Sequence, residues 1–285
     1  MSRAKDAGRD NCQFYTAAMS EQATHRITLE ARMRRALVEE HFLLYFQPKV
    51  DTMTQRITGM EALVRWREAD GRVVSPGEFI PLAEETGLIV PLGEWIFNNA
   101  CRQMRNWLEL LDPNEAPIRV AINLSTRQFR QKGLPQMIAK ALKESDLPAH
   151  YVELEITESM VMDDVDEAIV VLNELKEMGL HISVDDFGAG YSSLNYLKRF
   201  PIHALKIDQS FVRDLASDAD DAAIVSAIIS MAHSLHLAVI AEGVETEQQM
   251  KFLQQKGCEQ LQGFLFSQPV PPENFQKLLI NGHCG

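Results

Sequence analysis

Polar side chains sit at the ends of short apolar runs along this chain: Glu61, Asn123, Glu155, Asp185 with Asp186, Lys206, Glu242 and Gln262. An acidic residue inside an apolar strand is costly unless it is paired or bound to a cation. A single one could be a structural ion pair. Five carboxylates (Glu61, Glu155, Asp185, Asp186, Glu242) with an Asn and a Lys in similar positions instead suggest a shared cation site. The donors are all oxygens, with no His or Cys among them, which favours Mg²⁺ or Mn²⁺ over zinc. Adjacent Asp185 and Asp186 suit a bridging arrangement, one carboxylate shared between two ions and the other bound to the second. Paired ions of this kind sit about 3.5–4 Å apart in enzymes that cleave phosphate esters.

Around this set lie groups that could hold an anion. Glu61, Leu63 and Arg65 fall on one strand face by period two, with Ala62 and Val64 on the other. A carboxylate beside an arginine can hold a metal and a phosphate side by side, although a Glu–Arg cross-pair on a sheet is also common. Gln47, followed by Pro48, ends the preceding run and can reach the same mouth. Lys206 lies in the apolar stretch ALKID, where a buried ammonium needs a partner; Asp208 or Asp185 would serve for a purely structural pair.

The elements that must position these groups alternate along the chain. Apolar runs at 119–124, 151–156, 180–185, 203–207, 237–241 and 260–265 are separated by helical patterns such as Ile224, Ile228, Ala232 and Leu235. Asp220 and Asp221 are expected to cap that helix, and Gly179 and Gly257 to end two others. Strands alternating with helices of this length predict βα units and a parallel sheet. Two further strands, 42–50 and 56–66, follow each other so closely that they predict a hairpin, with one strand antiparallel to the rest. Eight strands imply an α/β fold of the (β/α)₈ barrel type, in which chemistry collects at the C-terminal ends of the strands. In 151–156, Val152, Leu154 and Ile156 share one face; Glu153 and Glu155 share the other, toward the barrel axis. Residues 20–41 read as an exposed amphipathic helix leading into the barrel.

Bulk properties narrow the function. The chain of 285 residues, 46% of them apolar, suits one large domain. No apolar run approaches the ~18 residues of a membrane span, and Met1–Asp10 is too polar for a signal peptide. The cysteines, Cys12, Cys101, Cys258 and Cys284, are too scattered for a zinc site or a disulfide framework and fit a reducing cytoplasm. A net charge of −12 argues against polymeric nucleic acid as a partner. An anionic substrate would therefore need local positive charge, which metal ions supply.

The motifs YFQP (45–48), EALVR (61–65), INLS (122–125), LEITES (154–159), DDFGAGYSSL (185–194), LKID (205–208), AEGVE (241–245) and QGF (262–264) together resemble the EAL domain family, from about Leu29 to Leu279 and in family order. The resemblance implies a modified triosephosphate isomerase-type barrel with its first strand reversed, and hydrolysis of cyclic di-GMP to linear pGpG. With the donor set above, two Mg²⁺ or Mn²⁺ ions are expected to serve it, and Ca²⁺, which prefers more ligands at longer distances, to inhibit. By motif, Glu61, Asn123, Glu155 and Asp185 look like ligands of one metal, and Asp185, Asp186 and Glu242 like ligands of the other. Lys206 resembles the lysine that orients the attacking water, and is assigned with Glu61 and Glu242 to catalysis. Gln47, Leu63, Arg65, Glu245, Phe264 and Pro269 resemble substrate contacts, and Glu158 resembles the anchor of loop 185–194, which links active site to dimer interface. Ala189 stands where Thr is frequent, and Gln268 where Arg or Lys often precedes the proline. Residues 1–16 resemble the end of a GGDEF domain, which implies larger upstream GGDEF-like and sensory parts, membrane-anchored or not. The division expected is 1–19 as that remnant, 20–41 as a linker helix and 42–285 as the EAL domain. The competing readings are a catalytically weak EAL domain serving as a cyclic di-GMP receptor, and an unrelated barrel hydrolase of another phosphate ester.

Overall fold

Eight strands close into a ring whose first member runs against the others, as the spacing of the first two apolar runs predicts. The computed structural model describes residues 17–68, 70–111, 118–162, 164–188, 194–215 and 217–283. Strands β1 (Phe42–Asp51) and β2 (Ile57–Arg67) form an antiparallel hairpin in register from Phe42↔Trp66 to Val50↔Ile57. β4 (Arg119–Asn123), β5 (Val152–Thr157), β6 (His181–Phe187), β7 (Ala204–Ile207), β8 (Ala238–Ala241) and β9 (Gln260–Leu261) then follow β2 in parallel. Antiparallel pairing of β9 with β1 closes the ring. A two-residue strand β3 (Val73–Val74) borders β2 outside it. Residues 1–16, expected from the sequence to be the end of a GGDEF-like domain, lie outside the described residues, as do Ala189 and Gly190.

The alternation in each run decides which face goes where. Val152, Leu154 and Ile156 on β5 and Ile182 and Val184 on β6 are buried beneath helices, while their polar neighbours point inward. The helices of the described residues are α1 (Ala17–Val38), α2 (Pro76–Thr86), α3 (Ile89–Leu108), α4 (Thr126–Phe129), α5 (Leu134–Ser145), α6 (Glu158–Met162), α7 (Val165–Glu177), α8 (Leu194–Leu197), α9 (Gln209–Arg213), α10 (Ala219–Ser234), α11 (Glu247–Lys256) and α12 (Pro272–Asn281), of which α4, α6, α8 and α9 are short. Because β1 enters by a hairpin, no crossover helix follows it, and its outer face needs another cover. Phe46 packs edge-on against Trp107 of α3 at 4.8 Å and beside Phe275 of α12 at 5.9 Å.

Three expectations are corrected. α1 is not simply exposed: Leu29, Met33 and Ala36 form a buried stripe, and Arg32 donates to Glu68 at 2.7 Å. A stripe spaced by four and three residues faces one neighbour, and the helix docks on α2. The cap of α10 is Asp218, whose carboxylate accepts from the amides of Asp220 and Asp221; those two occupy the first turn. The run 260–265 is a strand only at Gln260–Leu261. Beyond it the chain turns onto the segment after β8, with Val244 donating to the Gln262 carbonyl and Leu265 to that of Val244, each at 3.0 Å.

Gly263 makes that turn possible. A Cβ there would lie 2.1 Å from the Val244 carbonyl oxygen and 2.3 Å from its nitrogen. Both are backbone atoms and cannot swing aside. Gly263→Ala should therefore destabilise the fold by about 1–3 kcal/mol, as overpacking does, lowering the thermal midpoint by several degrees. An unchanged melting curve would contradict this account of the turn.

Candidate active site

Regular strands send adjacent side chains to opposite faces, so Asp185 and Asp186 can share a site only if β6 is irregular. It is. The register with β7 runs Val184↔Leu205 and resumes at Phe187↔Ile207, so two residues of β6 face one of β7. Asp186 takes the left-handed conformation, with φ 54°. A bulge of this kind re-aims a side chain. Carboxylate oxygens of Asp185, Asp186 and Glu242 consequently lie within 4.8 Å of one another.

Lys206 stands in the middle of the acidic set. Its Nζ is 2.5 Å from Glu242, 2.9 Å from Glu155, 3.2 Å from Asp185 and 3.8 Å from Glu61, and the side chain is fully buried. Asp185 is thus a partner as the structural alternative expects. Asp208 is not: it caps α9, accepting from the Ser210 amide at 2.8 Å. Glu61 is gripped separately, accepting from Asn123 and Gln262, each at 2.6 Å. Gln262 also donates to Gln47 at 3.0 Å, and Gln47 donates to the Ser267 carbonyl at 3.1 Å. Three strands and the 262–267 turn are thereby tied to one carboxylate.

The sequence reading missed one member of the interior. Lys49 on β1 is 1% exposed and donates to Glu155 at 2.7 Å and to Glu153 at 3.0 Å. Ser183 donates to the same Glu153 oxygen at 2.7 Å. Period-two alternation with Gln47 was the available signal, since both side chains leave the strand on the face opposite Phe46 and Val50.

Charge is unevenly distributed over this centre. Burial favours the neutral acid at Glu155, yet the Lys206 and Lys49 ammonium groups outweigh it and hold that carboxyl down to about 2. At Glu242 burial prevails over Lys206, and Asp185, Glu61 and Glu155 add repulsion, so the carboxyl is pushed up to about 8. Partial burial, Asp185 and a hydrogen bond with Asp208 raise Asp186 to about 6. Burial likewise raises Glu61. The mouth thus carries more carboxylate than one ammonium offsets. Its hard oxygen donors and their close approach fit divalent cations such as Mg²⁺ or Mn²⁺.

The remaining sequence candidates surround this centre. Leu63 and Arg65 line a groove of about 260 Å³ together with Asn123, Ile80 and Pro76. The Arg65 guanidinium lies over the Tyr45 ring, 5.5 Å from its centre. Glu158, buried at the start of α6, accepts from the Gly188 amide at 3.5 Å and so touches the segment that follows the bulge. Glu245, Phe264 and Pro269 flank Gln262 along the two segments joined by the Gly263 turn; Glu245 is exposed and Phe264 is 57% exposed. None of the described contacts joins these three directly to the acidic centre.

The chain is 47% identical over 273 residues to the bifunctional diguanylate cyclase/cyclic di-GMP phosphodiesterase MucR of Pseudomonas aeruginosa, matching 96% of this chain and 39% of that protein. It is 36% identical over 277 residues to the cyclic di-GMP phosphodiesterase PdeR of Escherichia coli, matching 97% of this chain and 41% of the relative. It therefore spans about two fifths of the length of these relatives. Among solved structures, the PaMucR phosphodiesterase in complex with c-di-GMP superposes with a TM-score of 0.83 at 48% identity, over 87% of this chain and 99% of the other. The EAL enzyme Bd1971 in its cAMP-bound form gives 0.85 at 38% identity, over 91% and 71%. With the family model for the EAL domain matching residues 30–269, a span that contains every strand of the ring, this chain belongs to the EAL domain family.

Proposed function

We propose that this domain hydrolyses cyclic di-GMP to linear pGpG at the acidic mouth of the barrel. The observation that carries the reading is the cluster of Asp185, Asp186 and Glu242 beside the buried Lys206. Glu61, Asn123, Glu155 and Asp185 would hold one divalent cation, and Asp185, Asp186 and Glu242 a second. Bound there, such ions supply positive charge for the phosphodiester and lower the cost of forming a hydroxide nucleophile at neutral pH. Lys206 hydrogen-bonds the attacking water and stabilises charge that develops as the new phosphorus–oxygen bond forms and the ester bond opposite it breaks. Arg65 offers a fork of donors to a phosphate oxygen. Phe264 presents an exposed ring on which a guanine base can stack, and Gln47, Leu63, Glu245 and Pro269 are assigned by motif to further contacts with the dinucleotide. Gln268, exposed beside Pro269, brings no charge to that border. A receptor without turnover would need a gap in this set, and no member of it is replaced.

Relatives of this kind are longer than the chain, and the domain is proposed to act within a larger protein that carries GGDEF-like and sensory parts upstream, in the cytoplasm and as a homodimer. Among the described residues no helix is long and apolar enough to cross a membrane.

Metal removal is the direct test. A chelator should abolish hydrolysis of cyclic di-GMP, and Mg²⁺ or Mn²⁺ should restore it, with products separated by chromatography. Ca²⁺ should inhibit, because it prefers more ligands at longer distances. Undiminished turnover in chelator, or turnover with zinc alone, would remove the proposed chemistry.

Lys206→Ala should lower turnover by about 10²–10⁴-fold, the usual contribution of a positioned proton-handling group. Binding of cyclic di-GMP, measured calorimetrically in Ca²⁺, should stay within a few-fold. A folded Lys206→Ala protein with near-normal turnover would reduce the lysine to a structural ion pair. Glu158→Ala should lower turnover most at limiting Mg²⁺, because the Gly188 amide loses its acceptor beside the bulge; identical Mg²⁺ titrations for variant and wild type would sink that role.

A further inference from the structure

Beneath the acidic mouth, one barrel layer deeper, lies a second buried ammonium that no step above uses. Lys49 pairs in register with Gly59, two residues below the Gln47↔Glu61 pair, so it enters the barrel under the proposed cation ligands. Its Nζ contacts two carboxylates of one strand, Glu153 at 3.0 Å and Glu155 at 2.7 Å. The two carboxylates are not equivalent. Glu153 shares its oxygen with the Ser183 hydroxyl, at 2.7 Å, and so keeps a donor of its own. Glu155 is held at one oxygen by Lys49 and at the other by Lys206, at 2.9 Å.

We infer that Lys49 is a positioning residue for the cation centre: by gripping the inner oxygen of Glu155 it keeps the outer oxygen turned toward the mouth. This rests on the reading of that mouth as a divalent-cation site. A carboxylate held by a single lysine could rotate about its last two bonds and offer either oxygen, or follow Lys206 out of line. With its inner oxygen fixed by a group that the core surrounds on every side, it has one orientation left. Groups that orient a metal ligand from behind typically set metal affinity by about 10–100-fold. Neutralising Glu153 would be a lesser role, and the shorter contact to Glu155 argues against it as the only one.

Two variants separate the roles. Lys49→Met together with Glu153→Gln removes the cation and the charge beneath it, so the net charge of the deep layer is unchanged. Lys49→Arg keeps a cation but replaces a point charge with a longer planar one, which moves Glu155. Mn²⁺ affinity is measured calorimetrically on the metal-free chain, with thermal unfolding in chelator as the control for folding. The double variant is expected to melt within a few degrees of wild type, yet to bind Mn²⁺ about 10–100-fold more weakly. Lys49→Arg should weaken binding in the same direction. In hydrolysis, kcat at fixed Mn²⁺ should fall while KM for cyclic di-GMP changes little.

Unchanged Mn²⁺ affinity in either folded variant overturns the inference and leaves Lys49 as a counter-charge for Glu153. A wild-type chain that binds Mn²⁺ without hydrolysing cyclic di-GMP sinks the proposed reaction alone, and Lys49 is still judged by the affinities. A wild-type chain that binds no Mn²⁺ overturns both.

Discussion

Charge alternates along the axis of this barrel. Glu153, Lys49, Glu155, Lys206 and then Asp185 with Glu242 succeed one another, each within 3.2 Å of the next. A buried ion costs several kcal/mol when it has no partner, and removing one member of a buried pair commonly costs about 3–5 kcal/mol. The column is therefore tolerable only as a unit, and it constrains everything around it. Strands β1, β5, β6 and β7 and the residue just after β8 must each present a particular side chain inward at a particular height, and a slip of one residue within a strand would send its side chain into the aliphatic shell. The aliphatic faces of β5 and β6 are consistent with this, since Val152, Leu154, Ile156, Ile182 and Val184 are all buried on the opposite side.

The column is acidic at its base and more strongly so at its mouth. At depth, two carboxylates share Lys49 and a hydroxyl. At the mouth, the β6 bulge adds Asp186, a carboxylate that a regular strand would have turned away. Burial and mutual repulsion raise Asp186, Glu242 and Glu61 together. That imbalance suits the mouth to divalent cations and, on the proposed reading, through them to an anionic dinucleotide. It also reconciles a net charge of −12 with the proposed phosphodiester substrate, because attraction need only be local.

Rigidity of the mouth comes from short connections that cannot be altered independently. Gln262 ties Glu61 to Gln47, and Gly263 lets the following turn press against Val244, next to Glu245. Glu158 reaches the Gly188 amide just beyond the bulge. The Gln262 link joins a proposed ligand, Glu61, to a proposed substrate contact, Gln47, and the Glu158 link holds the segment that follows two further proposed ligands, Asp185 and Asp186.

Much of this was legible in the residues themselves. Period-two alternation placed the strands and chose their inward faces, because a strand has only two faces and apolar side chains occupy one of them. The oxygen-only donor set pointed to hard cations for a reason of ligand chemistry that needs no coordinates. The close spacing of 42–50 and 56–66 announced the reversed strand, since no crossover helix fits between them. Other features depended on partners distant in sequence. Lys49 reads as an ordinary strand lysine until Glu153 and Glu155, 104 and 106 residues away, are folded against it. The stripe on α1 reads as exposed until α2 docks on it. The bulge that unites Asp185 with Asp186 is invisible in DDF, because it arises from a register mismatch with β7, and register belongs to a pair of strands rather than to either sequence alone.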